Sequence, residues 1–165
     1  MPHPDATRLS IRPARPGDAG LVLALVRELA DYERLAHAVE ACATDLDAAL
    51  FGPQPRVFCD LAAWDDEPAG FALWFYTFST FRGRHGIWLE DLYVRPALRG
   101  HGIGRALFCE LGRRCATDGL GRLEWSVLDW NEPAVRFYRG LGARPVDGWT
   151  TYRLDRDALA ALADG

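Results

Sequence analysis

The feature that most constrains this chain is a glycine-rich loop between a strand-like segment and a helix-like segment. Residues 87 to 94 are apolar, aromatic and β-branched, as in a buried strand. Pro96 ends that pattern, because proline cannot donate a hydrogen bond to a sheet ladder. After R-G-H-G-I-G, residues 99 to 104, Leu107 and Leu111 recur at helical spacing. The order therefore predicts a strand, a glycine loop and a helix.

A loop of this kind is suited to bind an anion. Backbone N–H groups converge at a helix N-terminus and favour negative charge there. Glycines let a phosphate approach the backbone, since they carry no Cβ. The chain has no lysine for a Walker pattern, and Arg105 replaces the third glycine of the dinucleotide fingerprint. The residues alone leave two interpretations open, a phosphate-binding loop and a tight turn without a ligand.

Composition excludes several classes of protein. The 165 residues predict one domain, 1–165, with residues 1–6 as a flexible tail. The net charge is −4 and the basic residues are arginines scattered among acids, which predicts no nucleic-acid partner. No apolar run is long enough to span a membrane and the N-terminus does not resemble a signal peptide, so we expect a cytoplasmic protein without a membrane partner. The dispersed cysteines and histidines predict no metal site.

Periodicity and turn residues predict a mixed α/β fold. The central sheet should have about six to seven strands, with helices on both faces. An aspartate, Asp18, is expected to cap the first helix, which runs to about Tyr32, and Thr44 to begin a second helix with a capping box. The predicted strands are residues 8–12, 56–63, 69–76, 87–94, 122–128 and 149–154.

Several motifs together resemble one known family. The loop R-G-H-G-I-G is similar to the pyrophosphate loop, R/Q-x-x-G-x-G/A, of the GNAT superfamily of N-acetyltransferases. Residues 89–94 (L-E-D-L-Y-V), 128–134 (L-D-W-N-E-P-A) and 137–138 (F-Y) resemble its diamine acetyltransferase branch, which includes spermidine/spermine and thialysine acetyltransferases. The resemblance implies the GNAT fold and the transfer of an acetyl group from acetyl-CoA to an amine, with no metal.

The resemblance also implies a set of cofactor-binding residues. The loop binds the pyrophosphate through backbone N–H groups, and the preceding strand pairs with the pantetheine amides. A backbone N–H near Val94 would face the thioester oxygen, where one oxyanion donor is typically worth about 3 kcal/mol. The implied cofactor-binding residues are Leu92, Tyr93, Val94, Arg99, Gly100, His101, Gly102, Ile103, Gly104, Arg105, Asn131, Pro133 and Ala134.

Two residues are candidates for catalysis, and each has a structural alternative. Tyr138 matches the family tyrosine that protonates the leaving thiolate, but its helical spacing also suits a core residue. Glu90 matches the family position at the amine, as a ligand or as a base through water, and the alternative is a solvated acid. On a regular strand Glu90 and Asp91 would point to opposite faces, leaving Asp91 structural or solvated.

The substrate side is implied less directly. In relatives, the positions of Tyr32, Glu33, Glu90, Asp147 and Trp149 shape an amine pocket, partly across a homodimer interface. The alternative for an acid at a helix end, such as Glu33, is that it is simply exposed to solvent. Ser79 stands where the polyamine enzymes carry an acid, which favours a lysine-like substrate. Arg82 and Arg84, in the same loop, are candidates to receive the carboxylate of such a substrate, or they only keep the loop solvated.

These observations support one function and leave two alternatives. The chain is expected to be an acetyl-CoA-dependent N-acetyltransferase that acts on a small lysine-like or diamine substrate by direct transfer in a ternary complex. The first alternative is the same chemistry on another amine, such as an amino-acid analogue, a drug or a protein N-terminus. The second is a non-catalytic acyl-CoA-binding regulatory module, which would need the glycine loop but neither Tyr138 nor Glu90.

Overall fold

The computed structural model describes residues 8 to 163, so the tail expected over residues 1–6 lies outside the described residues. The chain divides into two compact units, with the boundary between Ser126 and Val127, and each unit is described by itself. None of the described helices combines the length and the apolar character that a membrane crossing requires.

The first unit contains a sheet and three α-helices. Its strands are β1 (Leu9–Pro13), β2 (Phe58–Trp64), β3 (Glu67–Ser79), β4 (Arg84–Val94) and β5 (Leu123–Glu124). Its helices are α1 (Ala19–Tyr32), α2 (Ala43–Phe51) and α3 (Ile103–Asp118), with short 3₁₀ turns at Ala36–Ala38 and Pro96–Leu98. The second unit contains α4 (Glu132–Gly140) and α5 (Arg156–Ala163).

The sheet has the order β1-β2-β3-β4-β5. Neighbouring strands from β1 to β4 are antiparallel, and β5 runs parallel to β4 after the crossover through α3. This confirms the predicted mixed α/β class. The predicted count of six to seven strands is wrong, because the described chain forms a sheet of five.

One predicted strand is missing, and another is shorter than expected. The strand expected over residues 122–128 pairs with β4 only through Leu123 and Glu124, and Trp125 instead packs edge-on against Phe108 of α3, with ring centroids 5.0 Å apart. The strand expected over residues 149–154 is not formed among the described residues. Aromatic and β-branched residues favour a strand only where a neighbouring strand completes its backbone hydrogen bonds.

Helices cover both faces of the sheet, as predicted. Val22, Leu25 and Leu29 of α1 pack with Leu61 of β2 in a buried hydrophobic cluster. The adjacent β2 residue, Asp60, points to the opposite face, where its carboxylate lies 3.4 Å from the Arg114 guanidinium of α3. The period of two along β2 therefore separates an α1–α2 layer from an α3 layer.

The starts of two helices differ from the predicted caps. Asp18 is the residue before α1, but its carboxylate accepts hydrogen bonds from the Arg12 guanidinium, at 2.7 and 3.1 Å, and from the Arg15 N–H instead of from the helix. The guanidinium of Arg12 keeps the pKa of Asp18 below its usual value. Helix α2 begins before Thr44, because its capping box joins the Cys42 N–H to the Asp45 carboxylate at 2.8 Å.

Candidate active site

The glycine loop has the geometry of an anion-binding turn. Gly100 and Gly102 adopt left-handed φ angles of +83° and +80°, which favour glycine over other residues. Gly102 is the N-cap of α3, and no side chain caps this helix, so its first N–H groups lack partners within the helix. No atom of the described chain lies within 4 Å of where a Cβ would stand at Gly100. The loop therefore presents donors to open space that a phosphate fits.

An open strand edge adjoins this loop. Strand β5 pairs with β4 only at Ile87 and Trp88. From Leu89 to Val94, the edge of β4 that faces away from β3 has no strand partner among residues 8 to 163. Residues 92 to 94, predicted to bind the pantetheine, belong to this edge, which suits an extended ligand that carries amides.

A β-bulge interrupts β4 beside the open edge. Leu73 of β3 lies opposite Asp91, whereas the next residue, Trp74, lies opposite Leu89. Glu90 is therefore an additional residue without a cross-strand partner. A bulge of this kind bends its strand and changes the direction of its side chains.

The bulge turns Glu90 and Asp91 toward the same side of the sheet, so the expectation of opposite faces is wrong. Asp91 shares a face with Leu73, which belongs to the core beneath α1. Trp88 pairs with Phe75, which lies two residues from Leu73 and hence on the same face. The Trp88 Nε1–H donates a 2.9 Å hydrogen bond to the Glu90 carboxylate, which therefore lies on this side too.

Glu33 completes an acidic group with Glu90 and Asp91. Burial raises the pKa of Asp91 to about 6, and repulsion from Glu90 and Glu33 adds to the effect of burial. Burial also raises the pKa of Glu33 above its usual value. Carboxylates gathered at partial burial favour a cation among them or a proton on one of them.

The end of α1 sets the position of Glu33 in this acidic group. Glu33 follows the helix directly, and the next residue, Arg34, adopts a left-handed φ of +61° that is uncommon outside glycine. The Leu35 N–H reaches back to the Ala30 carbonyl at 2.8 Å, as in a Schellman ending. This closed turn fixes the backbone that carries Tyr32 and Glu33.

Two side chains of the loop fold back onto the protein. The Arg99 Nε–H donates to the Val94 carbonyl at 2.9 Å. The His101 ring packs against Trp64, with centroids 4.9 Å apart, and its Nδ1 lies 3.2 Å from the carbonyl oxygens of Leu98 and Arg99. Because carbonyl oxygens only accept, the bonded tautomer carries its proton on Nδ1.

The predicted cofactor residues of the second unit cluster at the start of α4. Asn131 is the N-cap and its side chain accepts from the Ala134 N–H at 3.4 Å, as the sequence predicts. Pro133 occupies the first turn of α4, where a missing N–H costs little. Asn131 is buried, whereas Ala134 is half-buried.

The remaining candidates of the second unit lie on and after α4. Tyr138 is half-buried, with its ring centroid 5.5 Å from that of Phe137. The predicted substrate residues Asp147 and Trp149 are both exposed, and Trp149 retains 81% of its surface.

The structure separates Arg82 and Arg84 from the acidic group. Both lie at the turn between β3 and β4, where the Arg82 guanidinium is 3.5 Å from the Gly121 carbonyl. Glu90 lies six positions after Arg84 along β4, a backbone distance of about 20 Å at roughly 3.3 Å per residue. Within one chain these arginines therefore do not flank the amine-side carboxylates.

Sequence reasoning missed Asp91 as a candidate site residue. Burial raises its pKa to about 6, and its neighbour Glu90 was the predicted residue. The available signal was a pair of acids within an otherwise apolar strand. Alternation of side chains assigned only one of them to the substrate, since a bulge has no clear signature in a single sequence.

Comparison with known proteins gives concordant results. The model of the acetyltransferase (GNAT) family matches residues 22–143. Thialysine N-epsilon-acetyltransferase of Bos taurus is 37% identical over 93% of this chain and 96% of its own length. The human spermidine/spermine N(1)-acetyltransferase-like protein 1 is 31% identical over 93% of this chain and 23% of its own length. An integron cassette protein from the mobile metagenome of V. cholerae superimposes with a TM-score of 0.79 and 26% identity, covering 96% of this chain and 99% of that protein.

Proposed function

We propose, from the premise that this chain belongs to the acetyltransferase (GNAT) family, that it acetylates a short lysine-like amine or diamine of the thialysine type. The chain is an N-acetyltransferase that uses acetyl-CoA as its cosubstrate and small amines as acceptors. The acidic group of Glu33, Glu90 and Asp91 carries the proposal about the substrate, because the negative charges of Glu33 and Glu90 act on the buried Asp91, and an alkylammonium ion among them would relieve this repulsion.

The loop and the open strand edge would hold acetyl-CoA. The unpaired N–H groups at the start of α3 suit the pyrophosphate, and the edge from Leu92 to Val94 suits the pantetheine arm. Asn131, Pro133 and Ala134, at the start of α4, are also proposed as cosubstrate-binding residues. Bound acetyl-CoA supplies an activated acetyl thioester whose thiolate departs.

Asp91 and Glu90 would have different roles toward the amine, one as a base and the other as a ligand. An alkylamine arrives protonated and must lose a proton before it can attack a thioester. Asp91, whose pKa is raised to about 6, is a stronger base than an ordinary aspartate and is ionised at neutral pH. Glu90, oriented by the Trp88 indole, would bind the ammonium group beside it.

Tyr138 is proposed to protonate the departing thiolate. A phenol with a usual pKa of about 10 can donate to a thiolate whose conjugate acid has a pKa of about 8.5 when both steps are concerted. Direct transfer needs no acyl carrier on the protein, in agreement with a ternary complex. A non-catalytic acyl-CoA-binding module is the alternative, and it would require neither Tyr138 nor Glu90.

A homodimer is part of the same proposal. Trp149 and Tyr152 keep 81% and 91% of their surface exposed, which is unusual for two large aromatic residues in one short segment of a globular protein. A second copy of this chain would cover them. Light scattering at micromolar concentration should give twice the 18.4 kDa of one chain, and the double substitution Trp149→Ser with Tyr152→Ser should halve that mass.

Exposed Phe81 provides the control for this dimer test. Phe81 keeps 98% of its surface and lies at the turn between β3 and β4. Phe81→Ser should therefore leave the mass unchanged. A monomeric unsubstituted protein would remove the dimer from the proposal.

The proposal further treats the chain as a single cytoplasmic acetyltransferase domain. In support, the family match over residues 22–143 runs across the division between the two compact units.

A panel of amines tests the proposed function. Thiol release from acetyl-CoA would be measured with thialysine, lysine, putrescine and spermidine as acceptors. We expect the highest kcat/KM for thialysine or lysine, because Glu33, Glu90 and Asp91 form one compact acidic group instead of a row along a polyamine. A wide preference for spermidine would contradict the substrate class. Tight CoA binding without thiol release for any amine would favour the binding module.

A further inference from the structure

Arg99 contacts both sides of the site. Its backbone begins the glycine loop, while its side chain returns to the end of β4, where Nε–H donates to the Val94 carbonyl at 2.9 Å. The guanidinium carbon lies 4.6 Å from the ring centroid of Tyr32, the last residue of α1. It also lies 5.7 Å from the ring centroid of Tyr93. One side chain thus joins the phosphate loop to the helix end that carries Glu33.

The Tyr93 side of this contact is held firmly. Tyr93 is buried, and its hydroxyl bonds with Glu28 of α1, which together with burial raises the pKa of Tyr93. Glu28 in turn accepts two hydrogen bonds from the Arg95 guanidinium, at 2.8 and 3.1 Å. A further Arg95 nitrogen donates to the Pro68 carbonyl at 2.7 Å. These contacts therefore hold the Tyr93 ring in place on one side of the Arg99 guanidinium.

The Tyr32 side of this contact is less buried than the Tyr93 side. Tyr32 is half-buried and stands two residues before Arg34, where the helix has already turned away in a left-handed conformation. A change in the Arg99 side chain would therefore reach Tyr32 and its neighbour Glu33 before it reached Tyr93. A planar guanidinium on an aromatic ring is also sensitive to orientation, since the attraction depends on its place over the ring face.

We infer that Arg99 is a positioning residue that couples the two binding events. This inference rests on the proposed function. A phosphate bound by the N–H groups of the loop fixes the backbone at Arg99, and the side chain then holds Tyr32 in the orientation that the amine pocket requires. Coupling of this kind is reciprocal, so the amine must tighten CoA by the same factor by which CoA tightens the amine.

Calorimetry with thialysine and CoA as probes tests this coupling. CoA lacks the acetyl group, so a complex of both molecules with the full chain does not react. We expect CoA to lower the Kd of thialysine about five- to tenfold, near the low end of measured couplings. Arg99→Lys keeps the charge but loses the planar group, and Tyr32→Leu removes the ring. Each variant should bring the ratio of the two thialysine Kd values close to one.

Combining the variants and adding a matched control sharpens the test. Arg99→Lys together with Tyr32→Leu should lose no more coupling than either alone, because both remove the same contact. Arg113→Lys changes an exposed arginine on α3 that pairs with Glu110, and it should keep the full ratio.

Each outcome either supports or overturns the inference. A ratio near one in the unsubstituted protein overturns it, and so does a full ratio in Tyr32→Leu. Should Arg99→Lys bind no CoA, Tyr32→Leu still measures the contact. Failure of the proposed function is recognised separately: the unsubstituted protein would then acetylate no amine of the panel. If the protein acetylates thialysine but CoA does not change the Kd of thialysine, the coupling is disproved and the proposed function stands.

Discussion

The proposed cosubstrate site takes residues 99 to 105 from consecutive backbone, whereas the acidic group takes Glu33 from the end of α1 and Glu90 and Asp91 from the middle of β4. The first site depends on two left-handed glycines and on the free N–H groups of a helix start. The second depends on a bulge, on a helix ending and on partial burial. The cofactor side is therefore set by local conformation, and the amine side by tertiary packing.

The largest effect is expected from Gly102→Asp on the cofactor side. The substitution places a Cβ and a carboxylate at a φ of +80°, at the point where a phosphate would approach. We expect the affinity for CoA to fall by at least about 100-fold, which corresponds to roughly 2.7 kcal/mol. Calorimetry on CoA and circular dichroism of the fold check this result.

A matched glycine on the same helix controls for the added charge. Gly112 lies within α3, and a Cβ there would meet no described atom within 4 Å. Gly112→Asp should therefore retain CoA affinity. If Gly102→Asp bound CoA as well as Gly112→Asp does, the glycine loop would be a turn without a ligand.

Tyr138→Phe should slow the chemical step without weakening the binding of CoA or of the amine. The change removes one hydroxyl, so we expect kcat to fall about 100-fold, the usual size for a positioned general acid. The melting temperature should move little, since one hydrogen bond contributes about 1 kcal/mol. The affinities for CoA and for the amine should hold.

Another tyrosine supplies the control for this substitution. Tyr76 is an exposed residue of β3, so Tyr76→Phe should change neither kcat nor affinity. A near-normal kcat in Tyr138→Phe at saturating amine, accompanied by a lower melting temperature, would instead identify Tyr138 as a core residue.

Glu90→Gln should affect only the amine side. The glutamine keeps an oxygen that can accept from the Trp88 indole but removes the charge. We expect about a tenfold loss of kcat/KM for the amine, about 1.4 kcal/mol, with the Kd of CoA unchanged. Glu110→Gln on α3 is the control. Equal losses in both variants would show that net charge, and not position, attracts the amine.

The smallest expected effect is on stability, in Asp91→Asn. The folded pKa of Asp91, about 6, lies above its usual value, so the stabilising protonated form is lost as the pH rises through about 6. Removing the charge should therefore stabilise the protein at pH 7.5 by about 1–2 kcal/mol, and the gain should vanish near pH 4. Thermal unfolding of both proteins at the two pH values tests the sign, and a gain that grows toward acid would contradict it.

The pH dependence of activity should reveal the same carboxyl group, that of Asp91. If Asp91 accepts the amine proton, kcat/KM for the amine should decrease as the pH falls through about 6. Asp91→Asn should lose that inflection along with activity. An inflection that persists unchanged in Asp91→Asn would assign it to another residue.

The difference between local conformation and tertiary packing also explains which features the sequence could predict. The loop at residues 99 to 104, the cap at Asn131 and the stripe of α1 are local patterns, and the structure confirms their conformations. The direction of Asp91 depends on a bulge opposite Leu73, which no local pattern marks. Asp18 likewise had the right position for a cap, but Arg12, six residues away, binds its carboxylate instead.

The predicted strand at residues 149 to 154 failed for a related reason. Its composition is typical of a strand, but a strand also needs a neighbour that completes its backbone hydrogen bonds, and the described chain provides none. Strand propensity describes how well a segment fits a sheet, and it cannot supply the sheet.

The open edge of β4 also has a consequence for how the protein behaves in solution. Backbone groups without a strand partner that suit an extended ligand suit the strand of another molecule equally well, so such an edge favours aggregation. A ligand that occupies the edge would act as a protective last strand. The free protein should then cloud on storage or gentle warming faster than the same protein kept with CoA, and solubility would follow the supply of cosubstrate.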